Sequence, residues 1–297
     1  MNEPLVSIII PVKNARNTIG GCLVSVLNLD YGNFEVIVVD DGSQDKTGEI
    51  IQSFSGRVKL ITHPQSRGPS SARNEAAGQA KGEFLAFTDA DCIVDKDWLK
   101  ELLSGFTESN IASVGGRQEV PEDETVFGRR VFKFMKRAGF LTDYMRWGKG
   151  RLVSVGHNPS CNVMYRRDIF LKESGFLDGL WPGEDVEFDH RLRRKGKEIV
   201  FNPRAVIFHY RPSNLKLFSR MMFRYGRAQG RLLRRHGILR KIQILPLLSL
   251  VIVFCVILSF FSVTIKGIFG FNIFIVFISL LALISWNVGF YKGIVSL

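Results

Sequence analysis

The sequence predicts an α/β protein built on a doubly wound, mainly parallel sheet and followed by a hairpin of two membrane helices. Three observations carry that reading. Short apolar runs alternate with helix-like segments through the first third of the chain, and several of those runs end in polar residues. From Ile242 to Tyr291 the only formal charge is Lys266. The run Leu85-Ala86-Phe87 has the pattern of a strand buried on both faces. It stops at two carboxylates one residue apart, Asp89 and Asp91. In an open α/β sheet, ligands bind beyond the carboxyl ends of the strands. Two Asp at such a place suit a hard, oxygen-liganded cation such as Mg²⁺ or Mn²⁺, which in turn holds phosphates. For an isolated Asp-x-Asp, a solvated acidic turn is the plain alternative.

The elements follow in order. Leu5 to Val12 reads as strand one, ended by Pro11, and a loop with Lys13 and Asn14 leads to a helix capped by Asn17 or Thr18. Phe34 to Val39 is strand two, closing on Asp40-Asp41-Gly42-Ser43, and Asp45 or Thr47 starts the second helix. Asp41 and Ser43 read as turn and cap residues. Val58 to Thr62 is strand three. Gly68-Pro69-Ser70-Ser71 opens a third helix carrying Arg73 and Asn74, and Gly82 breaks it before strand four. Alone, Arg73 reads as a helix-surface cation. Lys96 to Leu103 is an amphipathic helix, Ile111 to Val120 a strand, and Val153 to His157 and Ser160 to Tyr165 flank Asn158-Pro159. Glu184 and Asp185 fall at the start of a helix, with Glu187 and Asp189 further in and expected to be solvated or paired with Arg191 to Arg194. Ala205 to His209 is the last strand.

The net charge of +12 is concentrated in two stretches. Phe127 to Arg151 carries eight Lys/Arg against one acid, and Arg211 to Lys241 carries ten against none, so the rest of the chain is net acidic. The first stretch has the composition of an interfacial helix, or of a surface helix packed on its domain. The second runs straight into a membrane-length apolar segment, which favours anionic lipid heads over nucleic acid as the partner. Ile242 to Ile265 and Ile268 to Tyr291 are each long enough to cross a bilayer, with Lys266-Gly267 as the turn between them. Arg240, Lys241 and Lys292 then lie on the cytosolic side. Met1 leads directly into a strand and not into a basic segment with an apolar core, so the catalytic part is expected in the cytosol. The four cysteines, Cys22, Cys92, Cys161 and Cys255, form no Cys-x-x-Cys pair, so neither a disulfide framework nor a zinc site is implied, and Cys255 reads as a small hydrophobe.

Four segments together carry a resemblance: Val6 to Asn14, Val38-Val-Asp-Asp-Gly-Ser43, Gly68 to Ala76, and Phe87-Thr-Asp-Ala-Asp91. In order and spacing they resemble the nucleotide-sugar half of family 2 glycosyltransferases of the GT-A fold, and the likeness covers residues 4 to 212. The resemblance implies that Pro11, Val12, Lys13 and Asn14 line the nucleoside pocket and that Asp40 receives the N3 proton of a uracil-type base. Arg73 would sit beside the base, Asp89 and Ala90 beside the ribose, and Asp91 on the metal, with His209 as a second metal ligand. Glu184-Asp185 matches the motif whose Asp is the family's general base, and the Asn158-Pro159 loop resembles one that closes over donor and acceptor. A carboxylate can accept from an imide N–H, and a divalent cation can neutralise a diphosphate leaving group. The chain departs from the family at Lys13 and Ala15, where members often have Tyr and Glu, so no aromatic contact is expected at residue 13.

The organisation that follows is a catalytic domain over 1–212, with its nucleotide-sugar half at about 1–115 and its acceptor half at about 116–212. A basic interfacial segment (213–241), two membrane helices (242–291) and a short tail (292–297) complete it. The expected function is inverting, metal-dependent transfer from a nucleotide sugar, UDP-linked, to a hydroxyl of a lipid-linked glycan acceptor, as in the building of cell-envelope polysaccharide. Three rivals stand beside it. A polyprenyl-phosphate glycosyltransferase needs no base, because its acceptor is already ionised. A processive synthase carries Gln-x-x-Arg-Trp after the base, whereas here Arg146-Trp147 precedes it. A non-catalytic membrane scaffold would have no need of the acidic residues.

Overall fold

The computed structural model describes residues 3–137, 150–239, 243, 246 and 273–295. The chain divides into two compact units. One comprises Met1–Glu124 with Met135–Arg211, and the other Thr125–Phe134 with Pro212–Leu297.

In the first unit, β1 (Val6–Val12), β2 (Phe34–Asp40), β3 (Lys59–Thr62) and β4 (Phe84–Thr88) run parallel in the order β3-β2-β1-β4. Between them lie α1 (Ile19–Leu27), α2 (Thr47–Gln52) and α3 (Pro69–Gln79). All seven residues of β1 are buried, and their side chains split by alternation. Val6, Ile8, Ile10 and Val12 join one apolar cluster while Ile9 joins another. In β2, Val36 and Val38 go one way and Ile37 and Val39 the other; in β4, Phe84 and Ala86 oppose Leu85 and Phe87. A sheet covered on both faces needs continuous apolar runs, which is why these strands were readable. Pro11, expected to end β1, lies inside it opposite Val39 of β2. Pairing of β1 with β4 stops at Ile9, so the amide that proline lacks is not needed on that side.

Beyond β4 the sheet is mixed. The chain continues through β5 (Cys92–Val94), α4 (Trp98–Ser104), β6 (Ile111–Glu119), α5 (Val126–Arg137), β7 (Val153–Ser154), β8 (Asn162–Arg166), α6 (Arg167–Lys172), α7 (Glu184–Arg194) and β9 (Glu198–His209). The order runs on as β4-β8-β6-β9-β5, with β7 also on β9. Of these pairs only β6 with β9 is parallel. The expected parallel sheet is therefore the β3-β2-β1-β4 part, and the later strands turn back against it. Phe87, Tyr165, Phe170, Phe176 and Phe188 pack with ring centroids 5.0 to 6.1 Å apart, fixing α7 against β4 and β8. At Gly115 in β6 a Cβ would stand 2.2 Å from Asn158 Cγ, so only glycine lets the 158–160 loop seat there.

In the second unit, α8 (Leu215–His236) is capped by Asn214, whose side-chain oxygen accepts from the Leu217 amide at 3.0 Å. It packs along α9 (Ile273–Val295) through reciprocal glycines. A Cβ on Gly226 or Gly230 would fall 2.0 or 2.1 Å from the carbonyl oxygens of Trp286 and Phe290, and one on Gly289 or Gly293 equally close to those of Phe223 and Arg227. This small-xxx-small pattern on both helices brings two backbones into contact, as in membrane helix pairs. Ile278–Val295, with mean hydropathy 1.4, is the one stretch among the described residues long and apolar enough to cross a membrane. Apart from Gln243 and Pro246, the expected span at 242–265, with Cys255, lies outside the described residues, as do its Lys266-Gly267 turn, Arg146-Trp147 and the rest of 138–149. Leu215 and Leu217 are exposed, and the buried face of α8 runs from Phe218 to Leu232.

Candidate active site

The parallel strand tips hold the first group of polar side chains. Asp40 ends β2 beside Val12 and is buried, its Oδ1 accepting from the Ser43 amide at 2.9 Å. The loop after β1 is locked to the loop after β2: Asn14 donates its amide to Ser43 Oγ at 2.9 Å and accepts from the Gln44 amide at 2.8 Å. Ala15 donates to Thr47 Oγ1 at 2.8 Å. Asn14 takes a left-handed φ of 52°, which Asn tolerates better than most residues. Pro11 and Val12 are buried in β1, and Lys13 is exposed beyond them. Asp41 is a tie. It accepts from Ser66 Oγ and from the Arg67 and Gly68 amides, and meets His63 Nδ1 at 2.7 Å. Burial opposes its ionisation, but these donors hold its carboxyl below the usual range.

Arg73 is not a surface cation. It is 1% exposed on α3 and joins two halves of the site. Its Nη2 meets Asp89 Oδ1 at 2.5 Å, and its Nη1 meets Glu184 Oε1 at 2.9 Å. Burial works against its charge, and Asp89 and Glu184 more than compensate, so its pKa rises. Glu184 and Asp185 open α7 behind Gly183, which takes a φ of 105°. Ser160 secures both: its Oγ donates to Glu184 Oε1 at 2.8 Å and its amide to Asp185 Oδ2 at 3.0 Å. Burial first, then the charge of Asp185, pushes Glu184 up to about 8 against the pull of Arg73. Asp185 is half-buried and is thus the more open carboxylate of the pair. Glu187 and Asp189, expected in solvent or paired with arginines, are both buried. Glu187 does pair with Arg191 at 2.9 Å. Asp189 instead accepts from the Asn158 amide at 2.7 Å and from the Tyr165 hydroxyl at 2.8 Å, and burial raises its pKa well above the ordinary value.

The third group lies where β5 meets β9. Cys92 and His209 are cross-strand partners, so Asp91 falls next to the histidine, with Asp91 Oδ1 3.3 Å from His209 Nε2. Asp89, Asp91 and His209 each offer a ligand atom within 4.8 Å of the others, while Ala90 between them is buried. Burial opposes ionisation of Asp91 and His209, but their mutual attraction wins. Asp91 is held below the usual carboxylate range and His209 is pushed up to about 10. Two carboxylates and an imidazole fit a hard-to-borderline divalent ion such as Mn²⁺ or Mg²⁺. On the far side of the ring, Nδ1 lies 3.4 Å from Gln118 Oε1, an oxygen that already accepts from Arg211 Nη2 at 2.8 Å. That assigns the Nδ1 proton to Gln118, so a bound cation would displace only the Nε2 proton directed at Asp91.

The structure thus groups Asp89, Asp91 and His209, links Asp89 through Arg73 to Glu184, and puts Asp185 beside Glu184. Asp40 and Asn14 belong to the linked loops at the next strand tips. Ser160, Tyr165 and Gln118 carry much of this arrangement together with Asn158, and of the four only Asn158 was singled out from the sequence, as part of the Asn158-Pro159 loop. That loop was the available signal for Ser160, which follows it directly.

Known proteins agree with this architecture. A mannosyltransferase from Pyrobaculum calidifontis, solved with GDP-Man and Mn²⁺, superposes with a TM-score of 0.73 over 99% of this chain and 88% of its own, at 16% identity, which speaks to fold alone. The UDP-Glc:alpha-D-GlcNAc-diphosphoundecaprenol beta-1,3-glucosyltransferase WfgD of Escherichia coli is 38% identical over 132 residues, 44% of this chain; the alignment spans only 52% of WfgD. Glycosyltransferase AglE of Haloferax volcanii is 30% identical over 234 residues, covering 76% of this chain and 73% of AglE. The model of glycosyl transferase family 2 matches residues 7–172, across the strand tips, Arg73, the paired aspartates and Ser160. By that match and by AglE, the chain belongs to glycosyl transferase family 2.

Proposed function

We propose that this chain transfers a sugar, with inversion, from a nucleotide donor to a hydroxyl of a lipid-linked acceptor at a membrane. The observation that carries the reading is the buried Arg73, which binds Asp89 on the donor side and Glu184 on the acceptor side. The roles then divide by place. Asp40 accepts the imide proton of a uracil-type base, with Pro11 to Asn14 forming the wall beside it. Asp89 and Ala90 face the ribose, and Arg73 holds Asp89 in position. Asp91 and His209 would hold a divalent cation, with Asp89 in reach; when bound, it neutralises charge gathering on the diphosphate.

Asp185 removes the proton from the acceptor hydroxyl. The oxygen then bonds to the anomeric carbon while the bond from that carbon to the diphosphate oxygen breaks, and nucleoside diphosphate leaves. A helix N-terminus lowers the basicity of a carboxylate, yet it fixes position, and proton transfer needs geometry first. Ser160 provides the same fixing from the other side.

The choice of UDP and of a lipid-linked acceptor is supported by WfgD, whose name gives UDP-Glc and a diphosphoundecaprenol acceptor. A divalent-cation requirement is supported by the clustered ligand atoms of Asp89, Asp91 and His209, and Mn²⁺ is the ion with which the Pyrobaculum enzyme was solved. Membrane attachment is supported by the apolar α9 and by the exposed Arg220, Arg224, Arg234 and Arg235 of α8, a basic face suited to anionic lipid.

The test is hydrolysis and transfer with a panel of nucleotide sugars and full-length protein, with and without Mn²⁺. Metal-dependent release of UDP from a UDP-sugar is expected. Activity confined to another nucleotide would overturn the donor, and none with any donor would favour a scaffold.

A further inference from the structure

The sequence spacing of the cysteines gives no metal motif, but the fold brings two of them together. Cys92 begins β5 and Cys161 precedes β8, and both are buried. Cys92, Cys161 and His209 each present a ligand atom within 4.8 Å of the other two. The register of β5 against β9 makes Cys92 and His209 direct partners, so the sheet itself holds two of the three ligands. Gln118 fixes the imidazole from its other nitrogen, the usual outer support of a metal-bound histidine.

We infer that Cys92, Cys161 and His209 form a second cation site, selective for a borderline-soft ion with Zn²⁺ foremost. Thiolate sulfur and imidazole nitrogen are the donors zinc takes in tetrahedral sites. Mg²⁺ and Mn²⁺ prefer oxygen and have little use for the sulfurs. Three protein ligands leave a fourth position, open to water or another small donor. Binding releases the thiol protons to solvent and so strengthens as pH rises. The site lies back to back with the oxygen-rich set of Asp89, Asp91 and His209, and the two sets share one imidazole. They therefore compete: zinc on the sulfurs takes His209 from the ion of the transfer reaction. That competition, unlike the zinc site itself, rests on the proposed function.

The test uses full-length protein in detergent with a non-thiol reductant, titrated with Co²⁺ as a spectroscopic stand-in and then with Zn²⁺. A thiolate-to-cobalt charge-transfer band should appear in the wild type, vanish on adding one equivalent of Zn²⁺, and be absent from Cys161→Ser and Cys92→Ser. It should persist in Asp89→Ala, which belongs only to the oxygen set. Gln118→Met should weaken Zn²⁺ binding by about 10- to 100-fold, the range for loss of an outer partner. Circular dichroism checks that each variant is folded. No charge-transfer band in folded wild type, or a band that survives Cys161→Ser, overturns the site. Inhibition of Mn²⁺-dependent transfer by Zn²⁺, relieved in Cys161→Ser, reports the competition. If no transfer is found with any donor, the cobalt spectrum still decides the site by itself.

Discussion

The two groups of carboxylates in this molecule are held in opposite ways. Asp40, Asp89 and Asp91 stand at or just beyond the ends of strands, and their position comes from the strand that precedes them. Glu184, Asp185 and Asp189 share the first two turns of one helix, and their position comes from residues 24 to 31 places earlier, Asn158, Ser160 and Tyr165. A strand-tip residue is placed first by its strand, with Arg73 and His209 adding partners for Asp89 and Asp91. A helix-borne carboxylate in a buried pocket needs a separate loop to satisfy it, because an unpaired buried charge is costly. The donor side is therefore robust to changes elsewhere, and the acceptor side should answer to distant ones.

The largest expected effect falls on the strand-tip side. Asp91→Ala removes an anionic ligand of a hard cation and should abolish Mn²⁺-dependent UDP binding, with the fold unharmed because Asp91 packs no core. His209→Ala should weaken binding less, since the aspartates remain. Calorimetry with UDP in Mn²⁺ reads both, and unchanged affinity in Asp91→Ala would return the paired aspartates to a solvated turn.

On the helix-borne side, Asp185→Asn keeps shape and removes the base. Donor affinity should survive while transfer falls by roughly 10² to 10⁴. A polyprenyl phosphate acceptor arrives ionised and needs no base, so near-normal transfer in this variant would favour that rival. Phe188→Ala tests the support of the same helix. Phe188 is fully buried in the five-ring cluster, and its loss should cost about 3–5 kcal/mol of stability. Transfer should suffer in what remains folded, while UDP binding is spared. Equal losses of transfer and UDP binding would show that the two sides are not held independently.

The same contrast explains what the sequence shows and what it conceals. β1, β2 and β4 were legible because burial on both faces leaves uninterrupted apolar runs, and Asp40, Asp89 and Asp91 were legible as the residues that end them. Asp189 was misread because nothing local reveals that Asn158 and Tyr165 fold over it. Arg73 alone looked like a surface cation, since its two partners lie 16 and 111 residues away. The Cys92–Cys161 approach was invisible to a spacing rule, because it is made by β5 lying on β9 and not by a local loop. The close packing of α8 on α9 was written in Gly226, Gly230, Gly289 and Gly293, yet glycines in a helix signal contact only once a partner backbone is known.

The smallest effect sharpens the comparison through pH. Glu184 ionises near 4.5 in an unfolded chain, but burial and then the charge of Asp185 push it to about 8 in the fold. Between those values the folded state keeps a proton that the unfolded state has lost. Stability rises with pH only where the unfolded state binds more protons, so here it falls as pH increases. One group contributes a slope of at most about 1.4 kcal/mol per pH unit. Asp189, also raised by burial, adds a slope of the same sign, which is why only a difference is informative. Glu184→Gln keeps an uncharged side chain next to Arg73 and Ser160 and should flatten the decline across that window by the share that Glu184 supplies. Chemical denaturation of wild type and variant at several pH values reads it. Parallel curves would mean that Glu184 is ionised throughout, held by Arg73, and that the acceptor-side pair carries two charges instead of one.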